Sequence, residues 1–129
     1  MDSAAEAPRR RARLTRSGDF DAVYRRGRSS SNRHLVVYAF AREDRAEAGE
    51  VRLGLSVGRR VGGAVERNRV KRVLRERFAE VAGDLRPGLD IVVIARPGVH
   101  EYIEQRGSAA AGERLRELAV KVAGREDAG

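Results

Sequence analysis

The residues with most to offer chemically are cations. Arg67, Asn68, Arg69, Lys71, Arg72 and Arg75 crowd into one short stretch of the chain. On a helix, Asn68, Lys71, Arg72 and Arg75 follow i, i+3, i+4, i+7 spacing and share one stripe, while Val70, Val73, Leu74, Phe78 and Val81 share the opposite one. Arg69 flanks the cationic stripe. Arg67 lies nearer the apolar edge, in a first turn from which its side chain can swing outward. A solvated helix face ordinarily mixes signs in i, i+4 pairs. This stripe is wholly cationic and repels itself, which points to a polyanion. Arg59 and Arg60 precede it in the link GRRVGG, where backbone N–H groups can approach a phosphate.

The rest of the chain offers little for catalysis. There is no cysteine, which excludes disulfides, thiolate metal sites and a cysteine nucleophile, and suits a cytoplasmic protein. His34 and His100 are the only histidines, and neither shows a carboxylate at motif spacing; His34 sits on an expected strand and His100 in an expected surface loop. The acids fall mostly in turns and on exposed helix faces, whereas a two-metal phosphodiesterase needs several that converge. GRRVGG lacks the GK[ST] of a phosphate-binding P-loop. No catalytic residue and no protein-held metal are assigned.

Charge is localised. The net charge is +8, and residues 52–77 carry nine Lys and Arg against two Glu, whereas residues 78–129 are slightly acidic. Such a patch on a small domain is the footprint of a nucleic-acid binder. The residues alone leave two other readings open: a general RNA-binding or ribosome-assembly factor, and an adaptor whose basic face meets an acidic protein. No apolar run approaches the roughly 20 residues of a membrane span.

The elements that must position these cations can be read in order. Residues 1–13 are basic, polar and without periodicity, and are expected to be a disordered arm. A short helix is expected next, capped by Thr15 or Ser17 and ended by Gly27, with Phe20, Val23 and Tyr24 on one face. A strand at about 33–41 puts Leu35, Val37 and Ala39 on one side and Val36, Tyr38 and Phe40 on the other. Residues 42–50 read as a charged turn, and 51–57 as a second strand with Arg52, Gly54 and Ser56 outward, which together predict an antiparallel hairpin. Residues 28–31 allow a short edge strand. The Arg-rich helix spans about 64–82 and is closed by Gly83, with Arg77 lying awkwardly inside its apolar stripe. DIVVIAR (90–96), apolar on both faces, reads as a buried central strand stopped by Pro97-Gly98. Tyr102 and Ile103 suggest a short turn. A last helix, capped by Ser108 and ended by Gly124, buries Leu115, Leu118, Ala119 and Val122. The domain is placed at 14–124, with a disordered tail at 125–129.

Residues 54–78, GLSVGRRVGGAVERNRVKRVLRERF, resemble the signature of the bacterial ribonuclease P protein family: Arg67-Asn68-Arg69, then Lys71-Arg72 and Arg75. RLTRSGDFDAVYRRG (13–27), NRHLVVY (32–38) and DIVVIARPG (90–98) resemble further family segments in the same order. Residues 99–112 depart from the pattern. The resemblance implies an α/β two-layer sandwich, helix–three strands–helix–strand–helix, with a left-handed βαβ crossover around the Arg-rich helix; handedness statistics alone favour a right-handed one. It implies that Arg59, Arg60, Arg67, Asn68, Arg69, Lys71, Arg72 and Arg75 contact a catalytic RNA. It implies a cleft of Phe20, Tyr24, Val36, Tyr38 and Ser56 for the 5′ leader of precursor tRNA, Mg²⁺ held by the RNA subunit, and no obligate protein partner.

Overall fold

The computed structural model describes residues 28–41 and 51–124. The expected first helix, with Phe20 and Tyr24, and the terminal segments 1–13 and 125–129 lie outside these residues, as does the charged turn 42–50.

Four strands form one sheet: β1 (Arg28–Ser31), β2 (Leu35–Ala41), β3 (Arg52–Val57) and β4 (Leu89–Ala95). Among the described residues, three helices accompany them: α1 (Ala64–Val81), α2 (Val99–Arg106) and α3 (Ser108–Ala123). The architecture is α+β with a mixed sheet, in the order β1-β2-β4-β3.

That order corrects the expected hairpin. β2 and β3 are not neighbours; β4 lies between them, antiparallel to β2 and parallel to β3. The physical reason is in the composition of β4. Six of its seven residues are buried, Ile94 being half-buried, and a strand apolar on both faces belongs where both are covered. A parallel pair needs a crossover connection rather than a tight turn, and α1 supplies it between β3 and β4.

One face of the sheet packs under the helices. Leu35, Val37 and Ala39 of β2 join Ile91, Val93 and Ala95 of β4 there, with Leu53, Leu55 and Val57 of β3 at its margin. From above come Val70, Val73, Leu74, Phe78 and Val81 of α1 and Leu115, Leu118, Ala119 and Val122 of α3, buried as their spacing predicts, and Ala111 joins them. Every one of these apolar stripes faces the same core, and burying each large side chain contributes on the order of 1.5–3 kcal/mol.

Several local expectations need correction. α1 ends in a 3₁₀ turn, Ala82–Asp84, rather than at a left-handed Gly83. The left-handed glycine of that connection is Gly88, φ 77°, in the Arg86-Pro87-Gly88 turn. The turn expected around Tyr102 and Ile103 is a full two-turn helix, α2, so His100 stands on a helix rather than in a loop. Gly107, not Ser108, occupies the position before α3, and no side chain caps that helix.

Ser108 has another task, which explains Arg77. The Arg77 stem lies across Gly112 of α3, and its head donates from Nη2 to Ser108 Oγ at 2.9 Å and from Nη1 to Glu80 at 3.1 Å. An arginine in an apolar stripe thus lays its methylenes on the neighbouring helix and carries its charge to the edge. A Cβ at Gly112 would stand 2.8 Å from Arg77 Cδ and 3.1 Å from its Cγ, too close for either to stay put. Alanine in a helix interior is ordinarily more stable than glycine by about 0.5–1 kcal/mol. We predict that Gly112→Ala shows no such gain in the wild-type chain but shows it in an Arg77→Ala background. Urea unfolding of the four proteins in the cycle measures this, and an equal gain in both backgrounds would contradict the packing described.

Candidate nucleic-acid interface

α1 begins directly after a folded link. In GRRVGG, Val61 N–H donates to Gly58 O at 3.0 Å and Gly62 N–H to Arg59 O at 3.2 Å, closing a 3₁₀ turn over Arg59–Val61. Those two N–H groups are spent inside the turn, so the expectation that they approach a phosphate does not hold for them. The turn instead buries Val61 and leaves Arg59 and Arg60 exposed. Gly62 is required by contact: a Cβ there would lie 2.8 Å from Glu66 Cβ. Glu66 is the acid of the first turn, where a carboxylate favours the positive helix end.

Along α1, Asn68, Arg72 and Arg75 are exposed, and Arg67, Arg69 and Lys71 are half-buried. Arg67 Nε reaches back to Gly63 O at 3.4 Å, turned from the core edge as expected for a first-turn residue. Among the described residues, no carboxylate pairs with Arg59, Arg60 or Arg72. Arg69 differs: its Nε lies 2.8 Å from Glu104 Oε2 of α2, an ion pair whose geometry is not that of a hydrogen bond. His100 Nε2 lies 3.6 Å from the same oxygen. The sequence reading missed that pairing, although His100 and Glu104 stand at i, i+4 once α2 is known to be a helix.

The second candidate surface is the other face of the sheet. Strand register aligns three rows across it: Ser31, Val36, Ile94 and Ser56; Ser29, Tyr38, Val92 and Gly54; Phe40, Asp90 and Arg52. Val36, Tyr38 and Ser56 therefore share this face as the sequence predicts, but Ser56 lies two strands from Val36, roughly 10 Å at the usual strand spacing. Ile94 and Val92 occupy the middle of the floor, and Val92 forms a small apolar cluster with Tyr38, Phe40 and Ile94. The sequence reading left both out, though the two-sided apolarity of DIVVIAR was the signal for them.

One end of this floor is held by an ion pair whose acid is buried. Asp90 is 3% exposed, and it accepts from Arg52 Nε at 2.6 Å and Nη2 at 2.8 Å, a bidentate arrangement. Asp90 is thus an exception to the expectation that the acids lie in turns and on exposed helix faces. Arg52, counted within the basic block of the sequence, is neutralised by this contact and belongs to the sheet's architecture. The described residues contain no group of three His, Cys, Asp or Glu arranged to hold a metal ion, and no helix long and apolar enough to cross a membrane.

The geometry therefore offers a cationic helix face on one layer and a half-apolar sheet face, with aromatics, on the other. The Ribonuclease P family model matches residues 9–119. The ribonuclease P protein component of Brevibacillus brevis is 45% identical over 97 residues, 72% of this chain and 75% of that protein. That of Geobacillus kaustophilus is 42% identical over 102 residues, 78% and 82% of the two chains. The solved RNase P protein of Thermotoga maritima superposes with a TM-score of 0.71 at 33% identity, over 87% of this chain and 98% of the other. A Staphylococcus aureus RNase P protein mutant, described as defective in mRNA degradation activity, gives 0.71 at 31% identity, over 86% of each chain.

The cationic face makes a quantitative prediction. Neutralising a phosphate releases counterions, and each such contact contributes about 0.7–0.9 to the slope of log K against log salt. We predict that changing Arg72 and Arg75 together to Ala lowers that slope for RNA by about 1.4–1.8. Circular dichroism should stay normal, since both residues point away from the core. An unchanged slope with an intact fold would show that this face does not contact RNA.

Proposed function

The chain belongs to the ribonuclease P protein family, and from that premise we propose that it binds the catalytic RNA of ribonuclease P and the 5′ leader of precursor tRNA. In this reading it assists the endonucleolytic step that releases the leader and gives the mature tRNA 5′ end. The observation that carries it is the face of α1: cations at Arg67, Arg69, Lys71, Arg72 and Arg75, with five core residues directly behind them. A helix so anchored presents its charge rigidly, and Arg is suited to phosphate by its planar fork of donors.

The division of labour follows from the two faces. Asn68, Arg59 and Arg60 extend the α1 surface toward the RNA subunit, where cations offset phosphate repulsion and lower the Mg²⁺ needed to fold and act. Val36, Tyr38 and Ser56 belong to the leader surface, together with Phe20 and Tyr24 from the segment outside the described residues. An aromatic ring on such a floor stacks with an unpaired base without choosing sequence, contributing about 1–3 kcal/mol per base. The chemistry itself, hydrolysis of a phosphodiester, belongs in this reading to Mg²⁺ ions held by the RNA, and no side chain of this protein acts as acid, base or nucleophile. The protein works in the cytoplasm without an obligate protein partner.

Reconstitution tests the proposal. A bacterial ribonuclease P RNA is assayed on precursor tRNA across a Mg²⁺ series, alone and with this protein. The expected result is no cleavage by the protein alone, cleavage by the RNA alone only at high Mg²⁺, and correct 5′ processing at low Mg²⁺ when both are present. A protein that binds RNA yet never lowers the Mg²⁺ requirement would be a general RNA-binding factor. Cleavage by RNA-free protein that survives repurification would overturn the assignment of chemistry to the RNA.

A further inference from the structure

α2 packs against both α1 and α3, which also pack directly on each other, and its two edges differ. Val99 and Ile103 are buried beneath it. His100 and Glu104 turn toward Arg69 of α1. Tyr102 and Arg106, also four apart, turn the other way, toward α3 and the start of β2. There the Tyr102 ring lies 4.6 Å from the ring of His34, centroid to centroid, tilted by 33°. The guanidinium carbons of Arg106 and Arg114 stand 5.9 and 6.0 Å from the Tyr102 centroid. Arg114 Nε also donates to the Tyr102 hydroxyl at 3.2 Å.

Two more arginines, Arg96 and Arg33, stand beside His34. Arg96 receives the chain back at His34, its N–H donating to His34 O at 2.9 Å, and its Nη1 donates to Asn32 O at 3.0 Å. Arg33 adjoins His34, and its charge together with that of Arg114 adds to burial in holding the imidazole below its ordinary range. Burial is the largest of these causes.

The way these guanidinium groups are held is unusual for a surface. Neutral groups border three of them: the Tyr102 ring stands near Arg106 and Arg114, its hydroxyl accepts from Arg114, and a backbone carbonyl accepts from Arg96. Among the described residues, no carboxylate pairs with Arg33, Arg96 or Arg106; only Arg114 has one near, Glu117 at 3.7 Å. Four like charges close to one aromatic pair, three of them with no carboxylate partner among the described residues, cost stability and suit an anion with several charged groups. The patch lies on the helix side of the sheet and at the end where β3 and β4 both finish, which is also where the Arg59–Val61 turn and the first turn of α1 stand. The Arg69–Glu104 pair, with His100 beside it, lies on the α1-facing edge of α2.

We propose that Arg33, Arg96, Arg106 and Arg114, close to Tyr102 and His34, form a second phosphate-binding surface for the ribonuclease P RNA, separate from the face of α1. This rests on the reading that the chain binds that RNA. Its placement away from Tyr38 and the sheet floor assigns it to the RNA subunit rather than to the leader. Arg106 and Arg114 act as the fixed contacts, and Arg33 and Arg96 widen the surface along the start of β2. Glu104 limits it, keeping Arg69 from joining the two surfaces into one unbroken strip.

The test uses the full chain and an in vitro transcribed bacterial ribonuclease P RNA, with affinity measured across a salt series. Arg106→Gln and Arg114→Gln in one protein should lower the slope of log K against log salt by about 1.4–1.8, the value for two lost phosphate contacts. The corresponding double Lys variant should restore most of it, since a point charge still meets a phosphate. Arg33→Gln, on an exposed residue, should lower the slope by about 0.7–0.9 and needs no repacking, so it decides the matter if the double Gln variant fails to fold. A slope unchanged by these substitutions, while Arg72→Ala with Arg75→Ala reduces it, would overturn this inference and leave the role of α1 standing. A wild-type affinity indifferent to salt would instead overturn the reading on which it rests. A loss confined to precursor tRNA would show that the patch serves the substrate and not the RNA subunit.

Discussion

β4 is the element on which the rest of the structure depends. Its residues Ile91 and Val93 are fully buried on the helix side and Val92 on the other, so it can lie only in the middle of the sheet. Placing it between β2 and β3 makes β3 and β4 parallel neighbours, and that pairing requires a crossover helix. α1 is that helix. Its cationic face is therefore presented outward because its apolar face is pinned over the parallel pair, and its first turn must start where β3 ends. The other side of β4 sets the floor of the open sheet face, with Ile94 and Val92 between Val36 and Tyr38 on one hand and Ser56 and Gly54 on the other.

Charge in this protein falls into groups with different physical consequences. Arg52 is engaged by Asp90 in a bidentate pair whose acid is buried. Arg77 is folded along Gly112 and tied to Ser108 and Glu80. These two arginines serve the architecture. Arg59, Arg60 and Arg72 have no such engagement with any described carboxylate. Arg69 stands between the groups, since its ion pair with Glu104 is half-exposed and of the kind that contributes little in water, about 0–1 kcal/mol. It can be exchanged for a phosphate at small cost.

Much of this was legible in the sequence wherever periodicity alone decides. The core stripe of α1 and that of α3 follow directly from helical spacing, and the edge strand at 28–31 and the two-faced character of DIVVIAR were visible too. The hairpin was misread because sequence adjacency and a charged turn suggest pairing, while the competing fact, that DIVVIAR must be central, bears on topology rather than on local pattern. α2 was missed because eight residues give too few turns for a clear stripe, and with it went the contacts of His100, Glu104 and Tyr102. Arg77 looked like a conflict because helical spacing places Cα atoms, not the ends of long side chains. The Asp90–Arg52 pair joins residues far apart in the chain, and no spacing rule connects them.

The central claim is that the two layers serve two different RNAs, and Tyr38 tests it most directly. It sits in the middle row of the open sheet face, half-buried beside Val92. Affinities of the reconstituted holoenzyme for precursor and mature tRNA are compared between wild type and Tyr38→Ala, with the melting temperature of each protein alongside. The account predicts weaker binding of precursor by the loss of one stacked base, on the order of 1–3 kcal/mol. Mature tRNA and the RNA subunit should bind nearly as before. Equal losses for precursor and mature tRNA with an unchanged melting temperature would contradict it, and so would a collapse of the fold that weakens all binding together.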